Sequence, residues 1–338
     1  MESQHMQDLF KNSFKFYKRR KPPPDFTHVI DFQTEKNIAK KFNLKDVTYS
    51  ENLGLRPISE WSAFTVDKVK DFCFINNPFV EGAQAYWVKR CLEDYPVAPN
   101  VTNLDNLPNE PHHDHVWKES LELRNKQKLT AFDKTPVFRL RWTTLGYHHD
   151  WDSKVYSKEK VNEMPRDLKL LSHVIASAVG YPEYKGEAAI VNYYHLDSTL
   201  SGHTDHSEVD HESPLISVSF GQPAIFLLGG PTKETEPLAM FINSGDIVIM
   251  WGESRLNYHA VPRILESELD LCDVDYVKNC AGLLEGLQES ECANAKKCEG
   301  SDDLFGTLQT LDWEPFASYL RNSRINMNIR QVLPSSVK

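Results

Sequence analysis

Short apolar and alternating segments follow one another through the second half of the chain. They are rich in β-branched and aromatic residues, and Gly or Pro turns lie between several of them. This pattern predicts short antiparallel strands in a sandwich or jelly roll. The segments are 188–194, 215–220, 224–228, 239–242 and 246–251. We therefore expect an α+β protein that is mainly β.

The run from Arg324 to Arg330 predicts a further strand with one apolar face and one unusually polar face. Residues two apart share a face, so two arginines project together with Asn326 and Asn328. If that face points into a barrel, its guanidinium groups need a partner, and a small dicarboxylate would supply one. The alternative is an edge strand whose polar face is solvated.

Four His-x-Asp triplets are candidates for a metal site, beginning at residues 112, 148, 195 and 203. The histidine-rich run 111–115 has polar flanks and is interpreted as a solvated loop. Context favours the last two triplets, since His195 ends a predicted strand and His203 begins the next segment. With Asp205 and the later His259, His203 fits a site in which two histidines and one carboxylate occupy one face of Fe(II). The expected chemistry is oxidation.

Four features together resemble the AlkB-type Fe(II)/2-oxoglutarate dioxygenases over most of the chain. They are Asn-x-Tyr at 192–194, a His-x-Asp whose His follows that Asn by eleven residues, the distal His within 255–263, and the closing Arg-x-Asn-x-x-x-Arg. Further segments are similar to the animal AlkB homolog 1 branch in particular: 10–17, 76–79, 147–154 and 196–200. The combination is highly specific.

The resemblance implies a double-stranded β-helix, or jelly-roll, core with flanking helices and a substrate-facing lid subdomain. It implies the use of Fe(II), 2-oxoglutarate and O₂, with iron bound by His203, Asp205 and His259. The residues implied to hold the distal carboxylate of 2-oxoglutarate are Tyr194, Arg324 and Asn326. The residues implied to lie near its keto-acid end are Asn192 and Arg330.

The implied substrate is a methylated base in nucleic acid, demethylated at N-methyl groups or oxidised at C-methyl groups. RNA such as tRNA is expected slightly ahead of DNA. In bacterial relatives a second acidic residue after His-x-Asp touches the base, whereas Ser207 stands there in this chain and Glu208 is retained. This departure puts the identity of the base in question. A protein (histone) demethylase or hydroxylase would use the same iron site and is the alternative.

An enzyme that acts on a base must take it out of a stack and hold it against planar groups. The segment 147–151 offers four such rings, although Trp151 could instead belong to the core. The run 138–144 alternates, which predicts a strand with two arginines on one face. The substrate-facing candidates are Arg139, Arg141, Tyr147, His148, His149, Trp151 and Glu208.

The 338 residues divide into three predicted parts. They are a basic helical extension at 1–60, a substrate-facing lid subdomain with supporting helices at 61–187, and the core at 188–338 with an acidic insertion at about 266–303. The insertion holds eleven acids and three bases, so it accounts for −8 of the net charge of −10. We expect an irregular, solvated loop with a short helix at 283–287, and a zinc site on its four cysteines is the alternative.

Basic and aromatic side chains are interspersed in the amino-terminal segment from Leu9 to Lys21, which is predicted to be a helix. Such a helix could contact phosphate, and the binding would depend on salt. The alternatives are a mitochondrial address and a helix that packs its aromatic face on the domain.

Neither an apolar run of the roughly 20 residues that a membrane span needs nor a secretory signal is visible. Six cysteines lack any Cys-x-x-Cys pair and are expected to be free thiols. We expect an intracellular monomer that binds nucleic acid and no membrane, in the cytoplasm, the nucleus or both, with the mitochondrion as a further possibility.

Overall fold

Two antiparallel β-sheets pack face to face, and helices cover the outer side of the larger sheet. The computed structural model describes residues 7–34, 39–49, 52–108, 111–280 and 304–334. The strands are β1 Ala39–Lys41, β2 Ser62–Val66, β3 Val69–Asn76, β4 Val101–Thr102, β5 Trp142–Asp150, β6 Val155–Val161, β7 Ala188–His195, β8 Leu200–His203, β9 Leu215–Gly221, β10 Ala224–Leu228, β11 Leu238–Ile242, β12 Ile247–Met250, β13 His259–Ile264 and β14 Ser323–Arg330. The helices are α1 Leu9–Lys18, α2 Gln84–Lys89, α3 Val116–Gln127, α4 Pro136–Arg139, α5 Arg166–Ala178, α6 Leu304–Thr310 and α7 Glu314–Leu320.

The larger sheet has the order β1-β2-β3-β12-β9-β14-β7-β5-β4, and β6 extends it as a hairpin partner of β5. The smaller sheet has the order β11-β10-β13-β8. This is the expected jelly-roll core. The strands that were predicted in the second half of the chain are confirmed. Strands β2, β3 and β5 come from the region 61–187 and lie in the same sheet as the core strands.

The two faces of β14 are buried against different neighbours. Its apolar face, with Ile325, Met327 and Ile329, packs against the helix layer. Its polar face lines the space between the two sheets. The strand is central in its sheet, between β7 and β9, so the alternative of a solvated edge strand is excluded.

The predicted strand 138–144 is wrong in its first half. Pro136 stands at the first position of the short helix α4, where a proline ring fits well because it fixes φ near its helical value. Strand β5 begins only at Trp142. Arg139 is therefore helical, and Arg141 turns back to donate to the carbonyl oxygen of Phe138 at 2.8 Å. The two arginines do not share a strand face, and both are exposed.

The amino-terminal helix packs its aromatic side on the smaller sheet. Phe10 and Tyr17 are buried in a cluster with Ile225 and Ala260. A Cβ added to Gly202 would lie 2.6 Å from the Phe10 ring, so a glycine is needed there for the helix to approach. The lysines of α1 remain exposed. The packed-helix alternative is thus confirmed for the aromatic face.

The prediction of an irregular, solvated insertion is wrong for its first part. Leu271 and Tyr276 are buried in the main core, and the Tyr276 hydroxyl accepts a hydrogen bond from the Gly82 backbone N–H at 3.0 Å. Trp313 Nε1 donates to the Leu271 carbonyl oxygen at 3.1 Å. The predicted helix at 283–287 and two of the four cysteines of the zinc alternative lie outside the described residues. Among the described helices, none is long and apolar enough to span a bilayer.

We predict that Leu271→Ala lowers the free energy of unfolding by about 2–5 kcal/mol, because it removes a buried side chain from a packed core. Val274→Ala in the same segment is the control, since Val274 is 39% exposed and should change stability by less than about 0.5 kcal/mol. Urea unfolding followed by fluorescence measures both. Equal, negligible effects would restore the solvated-loop interpretation.

Candidate active site

A cavity of about 340 Å³ opens between the two sheets. The polar face of β14 forms one wall, and β7 and β9 extend that wall on either side. Residues of β8 and β13 in the smaller sheet form the opposite wall. One cavity therefore contains both groups of residues that the sequence singled out. They are the His-x-Asp triplet with its distal His and the strand with two arginines.

His203, Asp205 and His259 offer ligand atoms that all lie within 4.8 Å of one another. The pairing of β8 with β13 sets the two histidines directly opposite each other. Their Nε2 atoms lie 3.8 and 3.7 Å from the two Asp205 carboxylate oxygens. These distances are too long for hydrogen bonds, and they leave room for an ion among the three groups.

Backbone carbonyls orient both imidazoles. His203 Nδ1 lies 3.0 Å from the Ser201 carbonyl oxygen, and His259 Nδ1 lies 3.1 Å from that of Asn257. A carbonyl can only accept, so Nδ1 carries the proton and the lone pair of Nε2 is directed at Asp205. Histidines that bind metals are held in this way by an outer partner on the second nitrogen.

The charges at this cluster favour metal binding at neutral pH. Burial lowers the pKa of His259 to about 4, and the neighbouring His203 adds to the shift, so the ring is neutral. Burial alone would raise the pKa of Asp205, but the Arg330 guanidinium outweighs it and holds the pKa well below its usual range. Two imidazoles and one carboxylate are the ligand set of the facial triad that non-haem Fe(II) uses.

Arg324 is buried at the other end of the cavity. The oxygen atoms that accept its hydrogen bonds are all uncharged. Its Nη2 donates to the Ser219 hydroxyl at 2.6 Å, and its Nη1 donates to the carbonyl oxygens of Gln222 and Ile242. Its Nε has no hydrogen-bond partner among the described residues. Burial lowers the pKa of Arg324 to about 10, which still leaves it cationic at neutral pH. A buried cation with an unused donor fits an anionic ligand group.

The side chains around Arg324 are neutral hydrogen-bonding groups. Strand pairing sets Arg324 opposite Tyr194 and Asn326 opposite Asn192. Burial raises the pKa of Tyr194 to about 12, so its hydroxyl keeps its proton. Burial also raises the pKa of the nearby Asp246 to about 7, so this carboxyl neutralises Arg324 only in part. This end of the cavity thus presents one arginine and neutral donors, which fits one carboxylate of a dicarboxylate.

Glu208 lies near Asp205 and forms ion pairs with two arginines. Its oxygens lie 2.9 Å from Arg255 Nη2 and 3.0 Å from Arg330 Nη1, and its side chain is fully buried. Burial would raise the pKa of Glu208, but the two guanidinium groups lower it. Glu208 is not among the residues that line the cavity, and both of its carboxylate oxygens pair with arginines, so this arrangement does not support the predicted contact between Glu208 and substrate.

Arg255 was not among the residues that sequence reasoning selected. Its Nη1 donates to the backbone oxygen of Asp205 at 3.0 Å while its Nη2 pairs with Glu208. Arg330 completes the network, with Nη2 3.6 Å from the Asp205 carboxylate and Nη1 2.9 Å from the Tyr156 hydroxyl. Arg255 could have been noticed, because it precedes His259 by four residues within the segment 255–263. Its role could not be predicted, because its partners Asp205 and Glu208 are distant in sequence.

The rim of the cavity contains only part of the predicted ring cluster. His149 and Trp151 line the cavity, and His149 Nε2 lies 3.0 Å from the Ser207 hydroxyl. Trp151 is 44% exposed and packs against Trp142 and His149. It is therefore a rim residue and does not belong to the core.

Two predicted rings do not reach this cavity. His148 is buried and hydrogen-bonded to Thr144 and Asn162. Tyr147 lines a separate groove. Arg139 and Arg141 also lie outside the cavity lining, whereas Lys154, Ser219 and Phe226 line it without having been predicted.

The family model described as the 2OG-Fe(II) oxygenase superfamily matches residues 71–330 of the chain. A relative from Mus musculus named nucleic acid dioxygenase ALKBH1 is 41% identical, over 97% of this chain and 84% of its own length. The DNA N(6)-methyladenine demethylase ALKBH1A from Arabidopsis thaliana is 31% identical, over 96% of this chain and 92% of its own. The tRNA demethylase abh1 from Schizosaccharomyces pombe is 38% identical, over 49% of this chain and 59% of its own.

The chain therefore belongs to the 2OG-Fe(II) oxygenase superfamily, whose members use Fe(II), 2-oxoglutarate and O₂. Within that class it is an AlkB-type enzyme of the ALKBH1 branch.

We predict that Glu208→Gln lowers the free energy of unfolding by about 3–5 kcal/mol, because it leaves two buried arginines without their shared carboxylate. Glu212→Gln is the control on the same loop, since Glu212 is exposed. Urea unfolding measures both variants. A Glu208→Gln protein with wild-type stability that failed only on methylated substrate would return Glu208 to the substrate-contacting role.

Proposed function

We propose that His203, Asp205 and His259 hold Fe(II). This proposal rests on the closeness of their three ligand atoms, which lie within 4.8 Å of one another. It also rests on the two Nε2 lone pairs, which are directed toward the carboxylate. Arg255 and Arg330 act on this centre through Asp205, one at its backbone oxygen and one at its carboxylate. They fix the position of the ligand and keep it ionised.

We propose that 2-oxoglutarate lies between this centre and Arg324. Arg324, Asn326 and Tyr194 would take its distal carboxylate, which gives the unpartnered Nε of Arg324 an acceptor. Arg330, which lies 3.6 Å from the Asp205 carboxylate, and Asn192 would face the keto-acid end. When bound, iron, 2-oxoglutarate and O₂ supply oxidation of a C–H bond, with succinate and CO₂ as co-products.

For the substrate, we propose a methylated base in nucleic acid, with RNA such as tRNA ahead of DNA. The relatives named above as a nucleic acid dioxygenase, a DNA demethylase and a tRNA demethylase support this substrate class. The rim supports it chemically, because the rings of His149 and Trp151 offer planes against which an extruded base can stack. Single-stranded loops of RNA present bases at the lowest unstacking cost, which favours structured RNA. An N-hydroxymethyl product breaks down to formaldehyde and the bare base.

We also propose that residues 61–187 supply the substrate-facing surface, with the β5–β6 hairpin as the lid. The hairpin supports this role, because His149, Trp151 and Lys154 line the cavity from it. A nucleic-acid substrate implies an intracellular protein in the cytoplasm, nucleus or mitochondrion, and we propose that it acts as a monomer. The described cysteines, all free, suit a reducing compartment.

Replacing Arg324 by Lys should raise the KM for 2-oxoglutarate roughly ten- to a hundredfold, since a charged hydrogen bond contributes about 1.5–3 kcal/mol and Lys lacks the planar fork. Iron stoichiometry should stay at the wild-type value. Arg321→Lys, an exposed position on the same segment, serves as the matched control. Succinate formation gives KM, and an unchanged KM in Arg324→Lys would place the dicarboxylate elsewhere.

The substrate class is tested by incubating the purified protein with Fe(II), ascorbate and 2-oxoglutarate against RNA and DNA pools and a methylated histone peptide. We expect loss of a methylated nucleoside, measured by mass spectrometry, with release of formaldehyde. Trp151→Ala should lower this turnover more than it lowers succinate formed without substrate, because the base loses a stacking plane. Rapid formaldehyde release from the peptide, with every nucleoside unchanged, would replace this proposal by a protein-directed enzyme.

A further inference from the structure

One cross-strand pair of the β5–β6 hairpin, His149 and Tyr156, forms polar contacts with the segments around the iron site. The two residues are partners in the register of the hairpin, and their ring centroids are 5.2 Å apart. His149 Nε2 lies 3.0 Å from the hydroxyl of Ser207, in the loop that carries Asp205. The Tyr156 hydroxyl accepts a hydrogen bond from Arg330 Nη1 at 2.9 Å. The pair therefore joins the hairpin to that loop and to β14.

Strand β6 has little else that fixes it against the core. It pairs with β5, and five of its seven residues are exposed. The Lys160 ammonium lies 3.8 Å from the Asp150 carboxylate, which belongs to β5 again. Among the described residues, the Tyr156 hydroxyl is the one side-chain group of β6 that forms a hydrogen bond or ion pair outside the hairpin. The position of β6 relative to β14 therefore depends on this bond.

Three groups surround the buried guanidinium of Arg330. Nη1 donates to Tyr156 and to a Glu208 oxygen 3.0 Å away, and Nη2 lies 3.6 Å from the Asp205 carboxylate. At 3.6 Å the contact with Asp205 lacks hydrogen-bond geometry, so it sets the direction of the guanidinium only weakly. Because a guanidinium is a rigid plane, the hydrogen bonds that fix Nη1 also fix Nη2 beside Asp205.

Tyr156 itself lies outside the reacting space. It is not among the residues that line the active-site cavity, whereas Arg330 and Asp205 both line it. Its hydroxyl contacts Arg330, which we place at the keto-acid end of 2-oxoglutarate. An effect of this hydroxyl on the bound groups therefore passes through Arg330.

We propose that Tyr156 is a positioning residue for Arg330. Its hydroxyl holds the guanidinium plane in the orientation that serves Asp205 and the keto-acid end of 2-oxoglutarate. The inference rests on the proposed function and extends it, because it makes the binding of 2-oxoglutarate depend on the position of the hairpin. Binding free energies are reciprocal between coupled sites, so 2-oxoglutarate should in turn stabilise the hairpin against the core.

The first test measures the Kd of 2-oxoglutarate by titration calorimetry, with full-length protein loaded with Mn(II) in the absence of O₂. Tyr156→Phe keeps the ring and removes the hydroxyl. It should raise the Kd about two- to tenfold, the range for loss of one hydrogen bond. Tyr147→Phe is the matched control on the same hairpin and should keep the wild-type Kd, because Tyr147 lines the separate groove and not the cavity.

Succinate formation with Fe(II) and without nucleic acid separates positioning from a general loss of structure. In Tyr156→Phe the KM for 2-oxoglutarate should rise with the Kd, while kcat per bound iron stays at the wild-type value. In an Arg330→Lys background, Tyr156→Phe should change the Kd no further, because residues that act through one contact are not additive.

Hydrogen exchange of the β6 backbone amides supplies a readout without turnover. Mn(II) and 2-oxoglutarate together should slow this exchange in wild-type protein and slow it less in Tyr156→Phe. Equal slowing in the two proteins would overturn the inference, as would a wild-type Kd in Tyr156→Phe or a rise in Kd that Tyr147→Phe shares. Each of these results would leave the proposed function intact. A wild-type protein that binds no 2-oxoglutarate with Mn(II) would instead overturn the proposed function, and this inference with it.

Discussion

Two guanidinium groups on one strand face, those of Arg324 and Arg330, are buried between the sheets, and the arrangement of the site follows from that constraint. A buried cation without a partner costs several kcal/mol, so each group needs an anion. Arg330 has two within the chain, Asp205 and Glu208. Arg324 contacts only neutral oxygens and retains an unused Nε donor. The difference divides β14 into a permanently paired end and an end that fits an incoming carboxylate.

The paired end also determines how Asp205 is held. Asp205 follows β8, outside regular structure, where backbone hydrogen bonds of a sheet cannot fix it. Arg255 donates a hydrogen bond to the backbone oxygen of Asp205, and Arg330 lies beside its carboxylate. Glu208 forms ion pairs with both arginines. A ligand on a loop is thereby positioned by buried charges from β14 and from the turn before β13. The oxidation chemistry comes from the cofactors, and the chain contributes position, charge and exclusion of water.

Much of this arrangement could be predicted from local pattern. The strands 188–194 and 324–330 carry their own periodicity, and their polar faces indicated a dicarboxylate site before any pairing was known. The features that sequence reasoning missed depend on contacts between distant segments. Arg255 and Glu208 are 47 positions apart in the chain. Leu271 appeared solvated because its acidic neighbours dominate the composition, while its side chain is buried in the core cluster that also contains the distant Trp313. The separation of Tyr147 from the cavity that His149 lines coincides with a register shift in the pairing of β5 with β6, which the local sequence pattern does not reveal.

We propose that one cavity holds a metal on His203, Asp205 and His259 and a dicarboxylate on Arg324. Crystals grown without O₂ in the presence of Mn(II) and 2-oxoglutarate test it directly through anomalous scattering. We expect a single strong anomalous peak within bonding distance of both histidine Nε2 atoms and an Asp205 oxygen, with the distal carboxylate of 2-oxoglutarate on the Arg324 guanidinium. A peak bound by other side chains, or a 2-oxoglutarate carboxylate away from Arg324, would contradict it.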